Sequence, residues 1–202
     1  LGSGAVINTE EYGPVSHEPT PSEIISKGVD LLCYSGDKIL GGAQAGIIAG
    51  NKDLIHGIKK EPFFRALRCD KLILSMLEEI TEEHLKNNSS IPLLKMLSTT
   101  VEELALRAEN IVNEIKELPA KISIGEGESR MGGGTMPKSA IPSKTIDILP
   151  DNLSLPKLAK RLREADNPVM GYIADEMFKI DLRTIFPRQD QILTNSIKES
   201  LL

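Results

Sequence analysis

Ser35-Gly36-Asp37-Lys38-Ile39-Leu40-Gly41-Gly42-Ala43-Gln44-Ala45-Gly46 places one lysine in a glycine-rich turn between two apolar runs. Val29-Asp30-Leu31-Leu32-Cys33-Tyr34 precedes it and Ile47-Ile48-Ala49 follows. Both runs are short and continuous, so they predict buried strands, with Lys38 at a strand end held by backbone rather than on a helix face. Glycines at 36, 41, 42 and 46 permit positive φ and let the main chain approach a bulky ligand closely. A lysine withheld from bulk water in such a place can serve as a nucleophilic amine toward a carbonyl. A lysine beside glycines is nevertheless more often a solvated loop residue, and spacing alone names no cofactor.

Working outward, Thr20-Pro21-Ser22-Glu23 is a capping box with proline at the first helical position, and Gly28 closes the short helix it starts. Helix, strand, lysine turn, strand is an α/β order. A second helix is expected from Lys52 to Lys60, and a third carries Leu72, Ile73, Met76, Leu77 and Ile80 as a core face. The polar stretch Lys86-Asn87-Asn88-Ser89-Ser90 reads as a loop, so a domain boundary is placed there. Residues 1–90 form the first domain and 91–202 a linker helix with a small α+β domain. In that second part Pro92 to Leu97 predicts a short helix. Thr100-Val101-Glu102-Glu103 is a second capping box, opening a helix with Leu104, Ala105, Ala108, Ile111, Val112 and Ile115 as its apolar set. Strands are expected over 121–124, 144–149, 169–174 and 177–182, and helices over 155–165 and 188–201.

With 202 residues, 40% hydrophobic and 26% charged, the chain has an ordinary globular composition. Three tyrosines and four phenylalanines leave little for stacking bases. A formal charge of −5 argues against a generic nucleic-acid binder. Cys33 and Cys69 read as reduced, buried or half-buried thiols, and three scattered histidines make no metal site. The absence of a signal peptide or long apolar run predicts no membrane span and a cytoplasmic protein.

Arg65 and Arg68 stand three apart; on a helix or turn both guanidinium groups would point one way and grip a tetrahedral oxyanion, or else form a solvated basic face with Lys59, Lys60 and Lys71. Asp37 beside the lysine is a candidate second catalytic group or an ordering residue for the turn. Gln44 could offer an amide to a phosphate, although a polar loop residue is the default. Gly125-Glu126-Gly127-Glu128-Ser129-Arg130-Met131-Gly132-Gly133-Gly134-Thr135 lacks the lysine of a Walker loop and carries repelling acids, so it reads as a hairpin or loop. Lys157, Lys160, Arg161 and Arg163 form a basic helix face, solvated by default.

The lysine motif, followed by Arg65-Ala66-Leu67-Arg68-x-Asp70-Lys71, resembles the bacterial selenocysteine synthases, the L-seryl-tRNA(Sec) selenium transferases, which are fold-type-I pyridoxal-phosphate enzymes. Pro168-Val169-Met170-Gly171 and Ile180-Asp181-Leu182-Arg183 look like that family's closing hairpin, so the resemblance covers nearly the whole chain. Ala43 stands where proline is expected and Tyr172 where arginine is expected. The resemblance implies part of a fold-type-I large domain followed by a small α+β domain, with Lys38 holding pyridoxal 5'-phosphate. It implies that Arg65 and Arg68 bind selenophosphate, that seryl-tRNA(Sec) is the substrate, and that subunits form a ring of dimers. Because the chain opens at Leu1-Gly2-Ser3-Gly4, it is read as the C-terminal part of a longer protein, with the phosphate loop and the carboxylate facing the pyridine nitrogen expected upstream. The alternatives are another fold-type-I lyase or transferase acting on a free amino acid, whose carboxylate Arg183 would grip, and a non-catalytic structural fragment.

Overall fold

The computed structural model describes residues 1–13, 15–86, 91–132 and 139–202. The chain divides into two compact units, one of residues 1–98 with 130–139, the other of 99–129 with 140–202. The division thus follows Ser98, eight residues beyond the boundary expected after residue 90. Residues 87–90 of the expected boundary loop and 133–135 of the glycine run lie outside the described residues.

In the first unit, α1 (Pro21–Ser26) opens on the expected capping box: Thr20 Oγ1 accepts from the Glu23 amide and Glu23 Oε2 from the Thr20 amide. Strands β1 (Leu31–Ser35) and β2 (Gly46–Gly50) pair antiparallel, from Leu31 opposite Gly50 to Ser35 opposite Gly46. Lys38 therefore lies in the loop joining two paired strands. The expectation of buried strands is corrected: of the two, only Leu32 is buried, Ile48 is 46% exposed, and Cys33 is exposed rather than buried or half-buried. A continuous apolar run calls for cover on both faces, and the sheet has two strands among the described residues.

Three helices follow: α2 (Lys52–Lys60), capped by the Asn51 side chain, α3 (Pro62–Leu67), with proline in its first turn, and α4 (Lys71–Leu85). Asp70 caps α4 by accepting from the Ile73 amide at 2.9 Å. The expected core face of α4 is also corrected. Ile73, Leu77 and Ile80 are half-buried, whereas Leu72 and Met76 are 73% and 57% exposed. Leu77 and Ile80 of this stripe pack on the glycines of the lysine loop. α5 (Pro92–Ser98) completes it, burying Leu94 and Leu97.

The second unit opens with α6 (Val101–Ile115), capped by the predicted Thr100–Glu103 box. Its four-stranded sheet has the order β3 (Ala120–Arg130), β4 (Ala140–Pro150), β6 (Met177–Asp181), β5 (Tyr172–Ala174). Helices α6, α7 (Leu155–Glu164) and α8 (Asp190–Leu201) cover one sheet face. Leu104, Ala108, Ile111, Ile146, Ile148, Leu158, Leu162, Phe178, Ile180 and Ile197 form the core between them. The expected strand over 169–174 shortens to β5, and just before it Gly171 is held to glycine by close approach: a Cβ there would meet the Phe178 ring and the Lys179 carbonyl at 2.5 Å. The α+β reading of this half holds.

Candidate active site

The lysine loop is built by its own backbone. The Gly36 amide donates to the Ala45 carbonyl, Gly42 to Gly36, and Gly41 to Lys38, each at 2.9 Å. From the N-terminal segment the Ser3 carbonyl accepts from the Ile39 amide at 3.0 Å. Ile39 and Leu40 are buried, and Lys38 beside them is half-buried. Two buried apolar neighbours pin the chain on one side of the lysine, which limits how far its Cα can wander.

The glycines of the loop do different work from that expected. Only Gly41, at φ +78, takes a left-handed conformation among 36, 41, 42 and 46. Gly36 and Gly42 are required by close approach of protein: a Cβ on either would come within 3.1 Å of the Leu77 side chain, and one on Gly42 within 3.0 Å of Ile80. Their bare backbone is the seat for α4, while a Cβ on Gly46 would meet nothing within 4 Å. The apolar period of α4 carried this signal, since Leu77 and Ile80, which press on the loop, belong to it.

Asp37 is exposed, and its Oδ1 accepts from the Ser35 hydroxyl at 2.7 Å. This bond joins the two side chains that flank Gly36 at the loop entrance. Arg65 lies in the last turn of α3 and Arg68 is its C-cap, in extended conformation, with its amide on the Phe64 carbonyl. Both are exposed. They share the compact unit of Lys38, but a helical i, i+3 ridge stops short of Arg68. Ser3, not singled out from sequence, is 4% exposed, and its hydroxyl has no hydrogen-bond partner among the described residues.

Arg183, considered as the grip for a free carboxylate, is otherwise engaged. It is 5% exposed and donates to the Thr99 carbonyl at 2.7 Å and the Pro142 carbonyl at 2.5 Å. Burial pulls its pKa below the ordinary arginine value. A guanidinium spent on main-chain carbonyls is a structural clamp and leaves no fork for a substrate. Among the described residues no group of three histidine, cysteine or acidic side chains could hold a metal, and no helix is long and apolar enough to cross a membrane.

The fold is one known from solved enzymes. D-Glucosaminate-6-phosphate ammonia-lyase aligns with a TM-score of 0.59 at 16% identity, over 94% of this chain and 48% of its own. The mixed α/β architecture is that of part of a fold-type-I large domain followed by a small α+β unit. The SelA family model, L-seryl-tRNA selenium transferase, matches residues 1–186, and the chain belongs to that family. An L-seryl-tRNA(Sec) selenium transferase of Carboxydothermus hydrogenoformans is 42% identical over 193 residues, covering 94% of this chain and 41% of the relative. One from Aquifex aeolicus is 39% identical over 202 residues, covering 99% and 45%. The chain thus spans less than half the length of the curated relatives it matches.

Proposed function

We propose that this chain supplies the lysine loop of a pyridoxal-phosphate enzyme that converts seryl-tRNA(Sec) to selenocysteinyl-tRNA(Sec) with selenophosphate. The observation that carries the reading is a half-buried Lys38 in a hydrogen-bonded loop between paired strands, in a chain of the L-seryl-tRNA selenium transferase family. The residues present fit the cofactor. A primary amine held by backbone suits an aldehyde, and Ser3 beside the loop has a buried, unpartnered hydroxyl.

When bound, the cofactor supplies an electron sink that acidifies the substrate Cα–H and labilises a β-substituent. Lys38 would hold the aldehyde carbon, and its amine when free would be the base that moves the proton at the substrate α-carbon. Asp37, through Ser35, keeps the loop entrance in register. Arg65 and Arg68 hold the oxyanion of selenophosphate for addition at the β-carbon, as two exposed guanidinium groups can without a shared helical ridge. A homo-oligomeric ring of dimers in the cytoplasm is part of the same reading.

Variants of the protein at its full natural length test it. In Lys38→Ala, borohydride should fix no cofactor to the protein although the fold persists. Arg65→Ala and Arg68→Ala should retain the borohydride-fixed cofactor and need about tenfold more selenophosphate for half-saturation, each losing a charge-assisted contact. Cofactor fixed to Lys38→Ala by borohydride would remove the assignment.

A further inference from the structure

Leu77, Ile80 and His84 recur at spacings of three and four along α4 and share one of its faces. The first two press on the bare backbone of Gly36 and Gly42. The third reaches further along the same loop: His84 Nε2 lies 2.9 Å from the Leu40 carbonyl oxygen. A carbonyl can only accept, so the proton must sit on Nε2, and in the neutral ring Nδ1 is then a bare acceptor. That Nδ1 is shut off from solvent and has no partner among the described residues. The bond to Leu40 is therefore the polar contact that sets the ring.

Its target matters for Lys38. The Leu40 carbonyl and the Gly41 amide belong to one planar peptide unit. The amide end of that unit donates to the Lys38 carbonyl at 2.9 Å. The unit is thus gripped at both ends, by Lys38 itself and by His84 from α4. Rotation of this peptide would break both bonds and release the turn that presents the lysine.

We propose that His84, as the Nε2–H tautomer, is a positioning residue for Lys38, clamping the Leu40–Gly41 peptide so that the lysine amine is held where it meets its carbonyl partner. This rests on the reading of Lys38 as the cofactor lysine.

Two measurements test it. In the 202-residue chain labelled with ¹⁵N-histidine, three rings are to be assigned, that of His84 by its loss in the His84→Phe and His84→Gln variants. Its ring nitrogen shifts should report a proton on Nε2, and a bare Nε2 overturns the proposal. In the protein at full natural length, formation of the Lys38–cofactor linkage is followed by absorbance after mixing with pyridoxal phosphate. His84→Phe puts a ring of similar size in its place and should still fold, with a melting temperature lowered by the unpaired Leu40 carbonyl, and it should link about tenfold more slowly, a loss of orientation rather than of binding. His84→Gln, which retains an N–H able to reach the carbonyl, should recover to within about threefold of wild type. Wild-type linkage rate in a folded His84→Phe, or no recovery in a folded His84→Gln, overturns it. Should His84→Phe not fold, the tautomer and the glutamine variant decide. If the wild-type protein forms no linkage at Lys38, the functional reading fails instead, and the tautomer still reports on the clamp.

Discussion

Lys179 lies 2.6 Å from Asp147 Oδ2, and both residues are buried on the sheet face that turns away from the helices. The Thr145 hydroxyl donates to the same carboxylate at 2.6 Å, and the cluster rests on β3 where Gly125 leaves room: a Cβ there would meet Thr145 Oγ1 at 2.6 Å. Hydrogen bonding to Asp147 raises the Lys179 pKa, with burial opposing. A lysine whose pKa is raised on folding contributes stability that is fully present below its unfolded value of about 10.4 and is lost as pH climbs past it. Lys179→Met should therefore cost about 3 kcal/mol near neutral pH, because Asp147 stays buried without its cation. It should also flatten the alkaline fall in stability above about pH 10.4. Urea unfolding at pH 7 and across the alkaline range checks both, and a variant as stable as wild type would show the pair to be dispensable. The motif Gly125-x-Gly127-x-Ser129 held the clue, since alternate small residues clear one strand face. Nothing local showed that β4 would lay an aspartate across it and β6 a lysine beside that.

At the scale of elements, the β5–β6 hairpin turns through Asp175 and Glu176, at φ +50 and +57. Two consecutive left-handed residues are the geometry of a tight two-residue hairpin turn, in which glycine is favoured at the second place. Left-handed backbone costs a residue with a Cβ about 1 kcal/mol, partly offset in glycine by its greater freedom when unfolded. Glu176→Gly should accordingly stabilise the second unit by about 0.5 kcal/mol and raise its melting temperature by about 2–4 °C. A lowered melting temperature would mean that Glu176 makes a stabilising contact outweighing its backbone strain. Helix ends were legible where chemistry is local: both capping boxes, at Thr20 and Thr100, form as their spacing predicts. The place of the turn at 175–176 was legible too, as the gap between the strands expected over 169–174 and 177–182; its left-handed backbone was not, because neither residue is the glycine or asparagine by which such turns are recognised.

Over the whole molecule the two units differ in how far they bury what they carry. The second has a contiguous core from α6, the sheet, α7 and α8. In the first, Phe63, Leu67, Leu72, Leu74, Met76 and Leu85 all stand at least half exposed. Residues 99–202 produced alone should therefore unfold in one cooperative transition, while 1–98 alone should bind a hydrophobic dye and associate. A sharp, dye-free transition in 1–98 would show that its exposed faces need no cover. The same contrast explains which expectations held. Capping, strand period and the apolar set of α6 depend on neighbours within a few residues, and the amino-acid sequence by itself determined them, as it did membership of the family through the lysine motif. Burial of β1, β2 and the Leu72/Met76 side of α4, the engagement of Arg183 by Thr99 and Pro142, and the hold of His84 on Leu40 were decided only by tertiary structure. Each depends on which distant segment arrives at a surface, and that is set by packing of the whole chain rather than by local periodicity.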